Sequence, residues 1–223
     1  MAKTATSATP TPIAPADLAE GQPFLTPQRI RILGIGGAVI LVVALAVWFT
    51  ITAGRRKQAY ASTALDQCRD AAAQANFGVA VQCYTRVAAS YSGTPAAYEA
   101  TLGVAQTHLI AGQNELAITG LIDFLRTNPP PEAAAPANSL LGTAYENVGK
   151  FSEAEGAYRK ASDLAGVEYL KASALLDAAR AALLGNKVAE AKAIYNEIIT
   201  KYSTSGAMTE AQVRLAEITA RST

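Results

Sequence analysis

The stretch "LLGTAYENVGKFSEAEGAYRKA", Leu140–Ala161, orders its large and small residues as a helical hairpin does. Leu141, Gly142 and Tyr145 come before a Gly-Lys turn, and Ala154 and Tyr158 follow it. Residues four apart lie on one face of a helix, so each half presents a face of alternating size. The stretch therefore predicts two short helices packed closely against each other.

The same order recurs at intervals of 37 residues, which indicates an internal repeat. One column of small residues consists of Ala80, Ala117, Ala154 and Ala191. A column of large residues consists of Tyr84, Leu121, Tyr158 and Tyr195. A second small column consists of Cys68, Ala105, Gly142 and Ala179. Three columns with one period favour stacked copies of one helix pair over an irregular bundle.

A helix pair cannot bury its apolar face alone, so we expect the pairs to stack into a solenoid. The predicted fold class is all-α. We expect turns at "AGQNE", "VGKFSE" and "LGNKVAE", and a repeat domain over residues 58–223. Its units are predicted near residues 59–92, 95–129, 133–166 and 168–203, with a capping helix over 207–221.

These residues resemble the tetratricopeptide repeat family over about 160 residues. The third unit carries the signature at Leu141, Gly142, Tyr145, Gly149, Phe151, Ala154, Tyr158 and Ala161. The second unit matches at Val104, Ala105, Gly112, Ala117, Leu121 and Pro129, and departs from the family at His108 and Phe124. The first unit is degenerate in its first helix, and Asn186 replaces the turn glycine of the fourth. Because the period exceeds the family's 34 residues, longer loops between units are expected.

The segment before the repeats differs in composition. Residues 1–28 hold five of the ten prolines and form a predicted extended tail. Ile32–Gly54 contains no charged residue and, as a helix, is roughly 33 Å long, enough to cross a bilayer core. A single transmembrane helix with basic flanks is therefore predicted over residues 29–57; a signal-peptide core and a buried helix are the alternatives. Trp48 suits the membrane interface, and Gly34 and Ala38 suit close packing against another helix.

The membrane orientation follows from two opposing signals. Two arginines precede the span and "RRK" follows it, which slightly favours a cytoplasmic C-terminus. Cys68 and Cys83 lie at similar heights across the first hairpin and could form a disulfide, which would place the repeats outside the cytoplasm. The alternative is two small buried thiols. The orientation adopted has a cytoplasmic tail and a periplasmic repeat domain at a bacterial inner membrane.

No pattern in the sequence points to catalysis, a cofactor or a metal. The net charge of +1 and the absence of basic runs beyond one short cluster argue against nucleic-acid binding. The single histidine, His108, falls on a core-facing column, so a packed and hydrogen-bonded side chain is expected. Glu153 and Glu155 open a helix, where the helix dipole and solvent account for them. We therefore predict a protein that is not an enzyme.

The family resemblance implies a concave groove lined by the first helices of the units. An apolar groove with isolated polar points would bind an apolar helix or extended segment of a partner protein. The alternative is that its leucines pack between units. The implied lining is Leu65, Arg69, Leu102, Gln106, Leu109, Ile110, Thr143, Glu146, Asn147, Leu176, Arg180 and Leu183.

The layout of tail, span and repeats also resembles the ancillary proteins of the bacterial Sec translocon, and "AASYSGTPAAYEATLGVAQ" is similar to theirs. Two functions are expected. The first is a scaffold or accessory subunit of a photosynthetic, respiratory or secretory membrane complex, whose partners are membrane subunits, the lipid bilayer and an extrinsic protein. The second is a translocon-associated chaperone-like factor. An enzyme with an unrecognised site is a third class.

Overall fold

The computed structural model describes the backbone of residues 27–221 and the side chains of residues 40–220. Within that range the secondary structure is helical, and the chain divides into two compact units, with the boundary after Ile51. The helices are α1 (Pro27–Ala73), α2 (Phe77–Ser90), α3 (Pro95–Ile110), α4 (Asn114–Arg126), α5 (Pro131–Asn147), α6 (Phe151–Leu164), α7 (Glu168–Leu184), α8 (Val188–Lys201) and α9 (Gly206–Arg221).

The helices of the second compact unit stack in chain order. From α2 onward each helix packs on its neighbour in the chain, and α3 also packs on α5 and α7 on α9. Helices α3 and α5 therefore lie side by side, as do α7 and α9, in the manner of a tetratricopeptide-like solenoid. The first hairpin takes its first helix from the C-terminal part of α1, which packs Ala61, Leu65 and Cys68 against α2.

The columns read from the sequence form the core. The four alanines at positions 80, 117, 154 and 191 are fully buried. Tyr84, Leu121, Tyr158 and Tyr195 are also buried. At Gly142 an added Cβ would lie 2.6 Å from the ring of Tyr158, so only glycine allows this approach. The alternation of large and small residues in Leu140–Ala161 is therefore explained by the close packing of one helix against the next.

The turn inside each hairpin repeats one backbone conformation. Its central residue has a positive φ of 57°, 73°, 74° or 60°, at Ala75, Gly112, Gly149 and Asn186 respectively. The next residue donates its N–H to a carbonyl five positions back, as Gln113 does to His108 at 2.8 Å. This Schellman geometry ends the first helix and reverses the chain. Asparagine tolerates the left-handed region, which explains why Asn186 replaces glycine in the fourth turn.

The expectation of long loops between units is wrong. The connections between hairpins cover only residues 91–94, 127–130, 165–167 and 202–205. The prolines of "RTNPPPEAAAP" do not lengthen the loop, because Pro131 begins α5 and Pro136 lies within it. Proline is compatible with the first turn of a helix, where its missing N–H would have no partner. Most of the 37-residue period is helical, because the first helices α3, α5 and α7 have 16 or 17 residues and the second helices α4, α6 and α8 have 13 or 14.

The N-terminal predictions fall largely outside the described residues. The tail up to residue 26 lies outside them, as do the side chains of Gly34 and Ala38. Among residues with described side chains, no helix is both long and apolar enough for a membrane crossing. The predicted span Ile32–Gly54 begins before that range. In the part of the span whose side chains are described, the large apolar side chains of α1 from Ile40 to Ile51, including Trp48, are all exposed.

Candidate functional site

The predicted groove residues of the first unit, Leu65 and Arg69, line neither of the two cavities described below. Leu65 is only 3% exposed and belongs to the core between α1 and α2, so it has little area to offer a partner. Arg69 is exposed and contacts Asp66 at 2.8 Å and Glu99 at 2.6 Å. This guanidinium links α1 to α3 along the surface of the first two units.

A first cavity of about 470 Å³ lies between the first helices α3, α5 and α7. Leu102 and Gln106 line it from α3, and further lining residues of α5 include Ser139 and Leu140. Leu109 packs instead against the core around Leu121, and Ile110 is exposed at the end of α3. The structure therefore brings some of the predicted second-unit residues into a groove and leaves others outside it.

A second cavity of about 560 Å³ lies between α7, α8 and α9, and includes three predicted groove residues: Leu176, Arg180 and Leu183. It shares Ser173 and Asp177 with the first cavity, so the two adjoin along α7. We call them together the inner groove. Its far wall consists of Glu210, Arg214, Glu217 and Ile218. These residues of α9 were not predicted, because the sequence indicated only a capping role for that helix.

Thr143 and Glu146 meet the buried hydroxyl of Tyr158. The hydroxyl donates to Glu146 Oε2 at 3.2 Å and lies 3.1 Å from Thr143 Oγ1. Arg180 of α7 binds both oxygens of Glu146, through Nε at 3.2 Å and Nη2 at 3.0 Å. Two parallel bonds of this kind fix orientation as well as adding energy. The network joins the third and fourth units across α5, α6 and α7.

The electrostatics of this network show in two pKa shifts. Burial raises the pKa of Tyr158 to about 12. The hydrogen bond with Thr143 lowers this pKa, and the nearby Glu146 carboxylate raises it. Burial also raises the pKa of Asp177; the Arg180 guanidinium opposes this and Glu146 reinforces it. Both shifts reflect a partly dehydrated, carboxylate-rich surface at the junction of α5 and α7.

Asn147 does not take part in that network. Its Nδ2 donates to Asn114 Oδ1 at 2.9 Å, and so joins the turn edges of the second and third units. His108 makes a similar local contact, with Nδ1 2.7 Å from Gln113 Oε1. Among residues 40–220, no group of three or more histidine, cysteine or acidic side chains could hold a metal ion.

The interpretation of Glu155 as a solvated helix-start carboxylate is wrong. Glu155 is buried and accepts from Arg159 Nε at 3.0 Å and Lys187 Nζ at 3.2 Å. Burial alone would raise its pKa, but hydrogen bonds from these two cations outweigh it and hold the pKa below its usual value. Lys187 comes from the α7–α8 turn, so the contact closes the third unit on the fourth.

Cys68 and Cys83 face each other across the first hairpin. Their sulfur atoms are bonded at 2.01 Å and their Cα atoms are 5.3 Å apart. The bond joins the end of α1 to α2 and encloses the turn at Ala75. It lies beside the core of the first unit, away from the inner groove.

Comparisons with known proteins identify the repeats. The tetratricopeptide repeat family model matches residues 65–135 and 139–206, more than half of the chain. No curated protein matches the chain. Among solved structures, the chain is similar to nearly identical TPR-like repeats of a Podosopora anserina protein described as a candidate kinesin light chain. That match has a TM-score of 0.57 and 16% identity over 70% of this chain and 84% of the other. The MamA protein matches with a TM-score of 0.50 and 20% identity over 71% of this chain and 86% of its own.

At these identities the likeness to solved structures concerns the fold, which agrees with the stacked hairpins described above. Such repeats generally mediate protein–protein interactions and typically have no catalytic role of their own. The match of the family model over two long segments is the stronger finding. The chain belongs to the tetratricopeptide repeat family.

Proposed function

We propose that the protein is a non-catalytic, membrane-anchored scaffold or accessory subunit that stabilises a larger bacterial membrane complex. The observation that carries the proposal is the inner groove, an open and partly apolar surface built from the first helices of successive units. Grooves of this kind bind segments of other proteins. The repeats would hold an extrinsic protein, while the N-terminal tail and span would contact membrane subunits.

The membrane anchor is proposed from the N-terminal part of α1. Nine large apolar side chains of α1 between Ile40 and Ile51 are at least half exposed. Because they are nearly consecutive, they surround the helix and do not form one stripe. The sequence stays uncharged from Ile32 to Gly54. A helix that is apolar on every side suits a lipid bilayer, with Trp48 near its boundary.

The proposed sidedness rests on the disulfide. A bond between Cys68 and Cys83 persists in an oxidising compartment, which for a bacterial inner-membrane protein is the periplasm. The tail would then lie in the cytoplasm. Alkylation of the protein from native membranes with and without prior reduction, followed by mass spectrometry, measures the fraction bridged. Alkylation of both cysteines before reduction would contradict a periplasmic repeat domain.

A second candidate is a translocon-associated, periplasmic chaperone-like factor. It is favoured by the apolar part of the inner groove around Leu102 and Leu140, which could hold apolar segments of many client proteins. A chaperone would bind many clients weakly, whereas a scaffold would bind one set of partners at a fixed ratio. The two candidates therefore differ in the number of their partners.

Cross-linking mass spectrometry in native membranes tests the proposal. We expect cross-links from the repeats to one extrinsic protein and from residues near the span to one or two membrane subunits. The sidedness of those partners would also report the orientation of the chain. Cross-links spread over many unrelated proteins would favour the chaperone, and a lack of reproducible partners for both regions would contradict the scaffold.

A further inference from the structure

The hydroxyl of Tyr195 lines the second cavity of the inner groove and has no hydrogen-bond partner among the described residues. Tyr195 is only 2% exposed, yet it lines the cavity between α7, α8 and α9. Its oxygen is not fully enclosed in the core, because the only fully enclosed side-chain polar atom without a hydrogen bond among the described side chains, residues 40–220, is Gln58 Oε1. A hydroxyl that reaches a cavity without a partner from the protein is available to donate to, or accept from, an occupant of that cavity.

Comparison with Tyr158, one repeat earlier, shows why the hydroxyl of Tyr195 is unpaired. Tyr158 contacts Thr143, Glu146 and Arg180. The positions 37 residues later are Arg180, Leu183 and Glu217. Leu183 cannot accept a hydrogen bond, while Arg180 and Glu217 are engaged with other charged residues. The fourth unit therefore keeps the tyrosine of the column but not the polar contacts that satisfy it in the third.

The charges around this cavity are unbalanced. Arg180 contacts the carboxylates of Glu146 at 3.0 Å and Asp177 at 3.0 Å. Arg214 contacts Glu210 at 3.7 Å and Glu217 at 3.3 Å. Of these residues, three carboxylates (Asp177, Glu210 and Glu217) and two guanidinium groups line the cavity, which leaves an excess of one negative charge at its walls. Burial is the main cause of the raised pKa of Asp177, and the carboxylates of Glu146 and Glu210 add to it against the opposing Arg180 guanidinium.

The remaining walls of the cavity are apolar. Leu176 and Leu183 of α7 face Ile218 of α9 across it. A cavity with apolar walls, an excess of carboxylate and one free hydroxyl matches a long side chain that ends in a cation. The methylene groups of such a side chain cover apolar surface while its charged end stays near polar groups.

We propose that this cavity binds a lysine or arginine side chain from an extended segment of the partner protein. The stem lies against Leu176, Leu183 and Ile218, and the cation donates to the Tyr195 hydroxyl and to Asp177 or Glu217. The inference rests on the proposed function, because it names the chemistry of the partner that the repeats hold. An acidic segment would meet the excess of carboxylate and is disfavoured.

The test uses the full-length protein in detergent and three acetylated, amidated peptides with the sequence Ala-Leu-X-Leu-Ala, in which X is arginine, citrulline or glutamate. Citrulline keeps the shape of arginine without its charge. We expect the arginine peptide to bind about tenfold more tightly than the citrulline peptide, and the glutamate peptide to bind least, as measured by calorimetry. Equal affinities for arginine and citrulline, or tightest binding of glutamate, would overturn the inference.

Two variants locate the binding. Tyr195→Phe removes only the unpaired hydroxyl, so we expect about fivefold weaker binding of the arginine peptide with an unchanged melting temperature. Tyr84→Phe is the matched control, because it removes the hydroxyl of the same column in the first unit, outside the cavity. Unchanged affinity of Tyr195→Phe, or the same loss in both variants, would show that the cavity is not the binding site.

The inference and the proposed function fail in different ways. If the peptides do not discriminate but one extrinsic protein still cross-links to the repeats, the partner does not use this cavity and only the inference is wrong. If no partner cross-links in native membranes, the scaffold proposal is wrong, whatever the peptides show.

Discussion

Ala75 occupies the turn position at which the next two hairpins have glycine. Its φ is 57°, in the left-handed region, where a residue with a Cβ pays roughly 1–2 kcal/mol. Replacing it with glycine removes that strain and adds conformational freedom to the unfolded chain, which costs about 0.4–1 kcal/mol. The Cys68–Cys83 bond closes the chain around position 75, so it restricts the unfolded state and reduces that cost.

We therefore expect Ala75→Gly to raise the free energy of unfolding by about 0.5–1 kcal/mol. For a repeat domain of this size the melting temperature should rise by about 1–4 °C. Thermal or urea unfolding of the oxidised protein, followed by circular dichroism, measures the change. The glycine leaves the helix boundaries in place, because Ala75 and Asn76 already make the two backbone bonds of the turn.

Two controls isolate the backbone effect. Gly149→Ala makes the reverse change at φ 74°, and an added Cβ there would have no neighbour within 4 Å. It should destabilise the protein by about 0.5–1 kcal/mol, because the strain of roughly 1–2 kcal/mol is partly offset by the lower conformational freedom of alanine in the unfolded chain. Ala111→Gly changes a residue at φ −77°, where glycine brings only its unfolded-state cost. If Ala75→Gly lowered stability as Ala111→Gly does, the account of the turn would be refuted.

Three further predictions concern the packing and charges of the third unit. Gly142→Ala should destabilise by about 1–3 kcal/mol, because its Cβ would overlap the Tyr158 ring, whereas Gly156→Ala has open space and should stabilise by about 0.5–1 kcal/mol in the same urea titrations. Tyr158 ionises near pH 10 when unfolded and near pH 12 when folded, so the unfolded state loses the proton first and stability falls as pH rises through that window. The fall should be smaller in Tyr158→Phe, and an equal alkaline slope in both proteins would contradict the assignment. The pKa of Glu155 is lower in the folded state than in the unfolded state, so its ionised form stabilises the fold at pH values above the unfolded-state pKa. This contribution is lost as the pH falls through the pKa of Glu155 in the folded state. As the pH is lowered, the free energy of unfolding should fall less steeply in Glu155→Gln than in wild type. Lys187→Met should remove part of this acid dependence.

The repeat architecture could be predicted from sequence because close helix packing requires small and large residues at fixed, short spacings in the chain. Ala154 and Tyr158 lie four residues apart in one helix, and the same pair recurs at a fixed interval, so periodicity alone reports the fold. Gly149 marks the turn for the same reason. The left-handed conformation of Ala75 could be placed only by alignment with that glycine, since alanine has no turn preference of its own.

The candidate site could be predicted only in part. The carboxylate of Glu155 meets Lys187 from the next unit, and a contact 32 residues apart depends on the angle between units, which the sequence does not encode locally. The same holds for the wall that α9 adds to the inner groove. Tyr195 resembles the other tyrosines of its column in sequence. Its unpaired hydroxyl becomes visible only when its neighbours are known.

The central claim is that the inner groove of the repeats holds one stoichiometric partner. The most direct measurement is quantitative mass spectrometry of the full-length protein purified from gently solubilised membranes, comparing Gln106→Arg with Thr119→Arg. Gln106 is exposed inside the inner groove, whereas Thr119 is exposed on α4 outside both cavities. We predict a fixed partner-to-protein ratio in wild type and Thr119→Arg, and loss of the extrinsic partner in Gln106→Arg. An equal ratio in all three proteins, or no protein at a constant ratio in wild type, would contradict the claim.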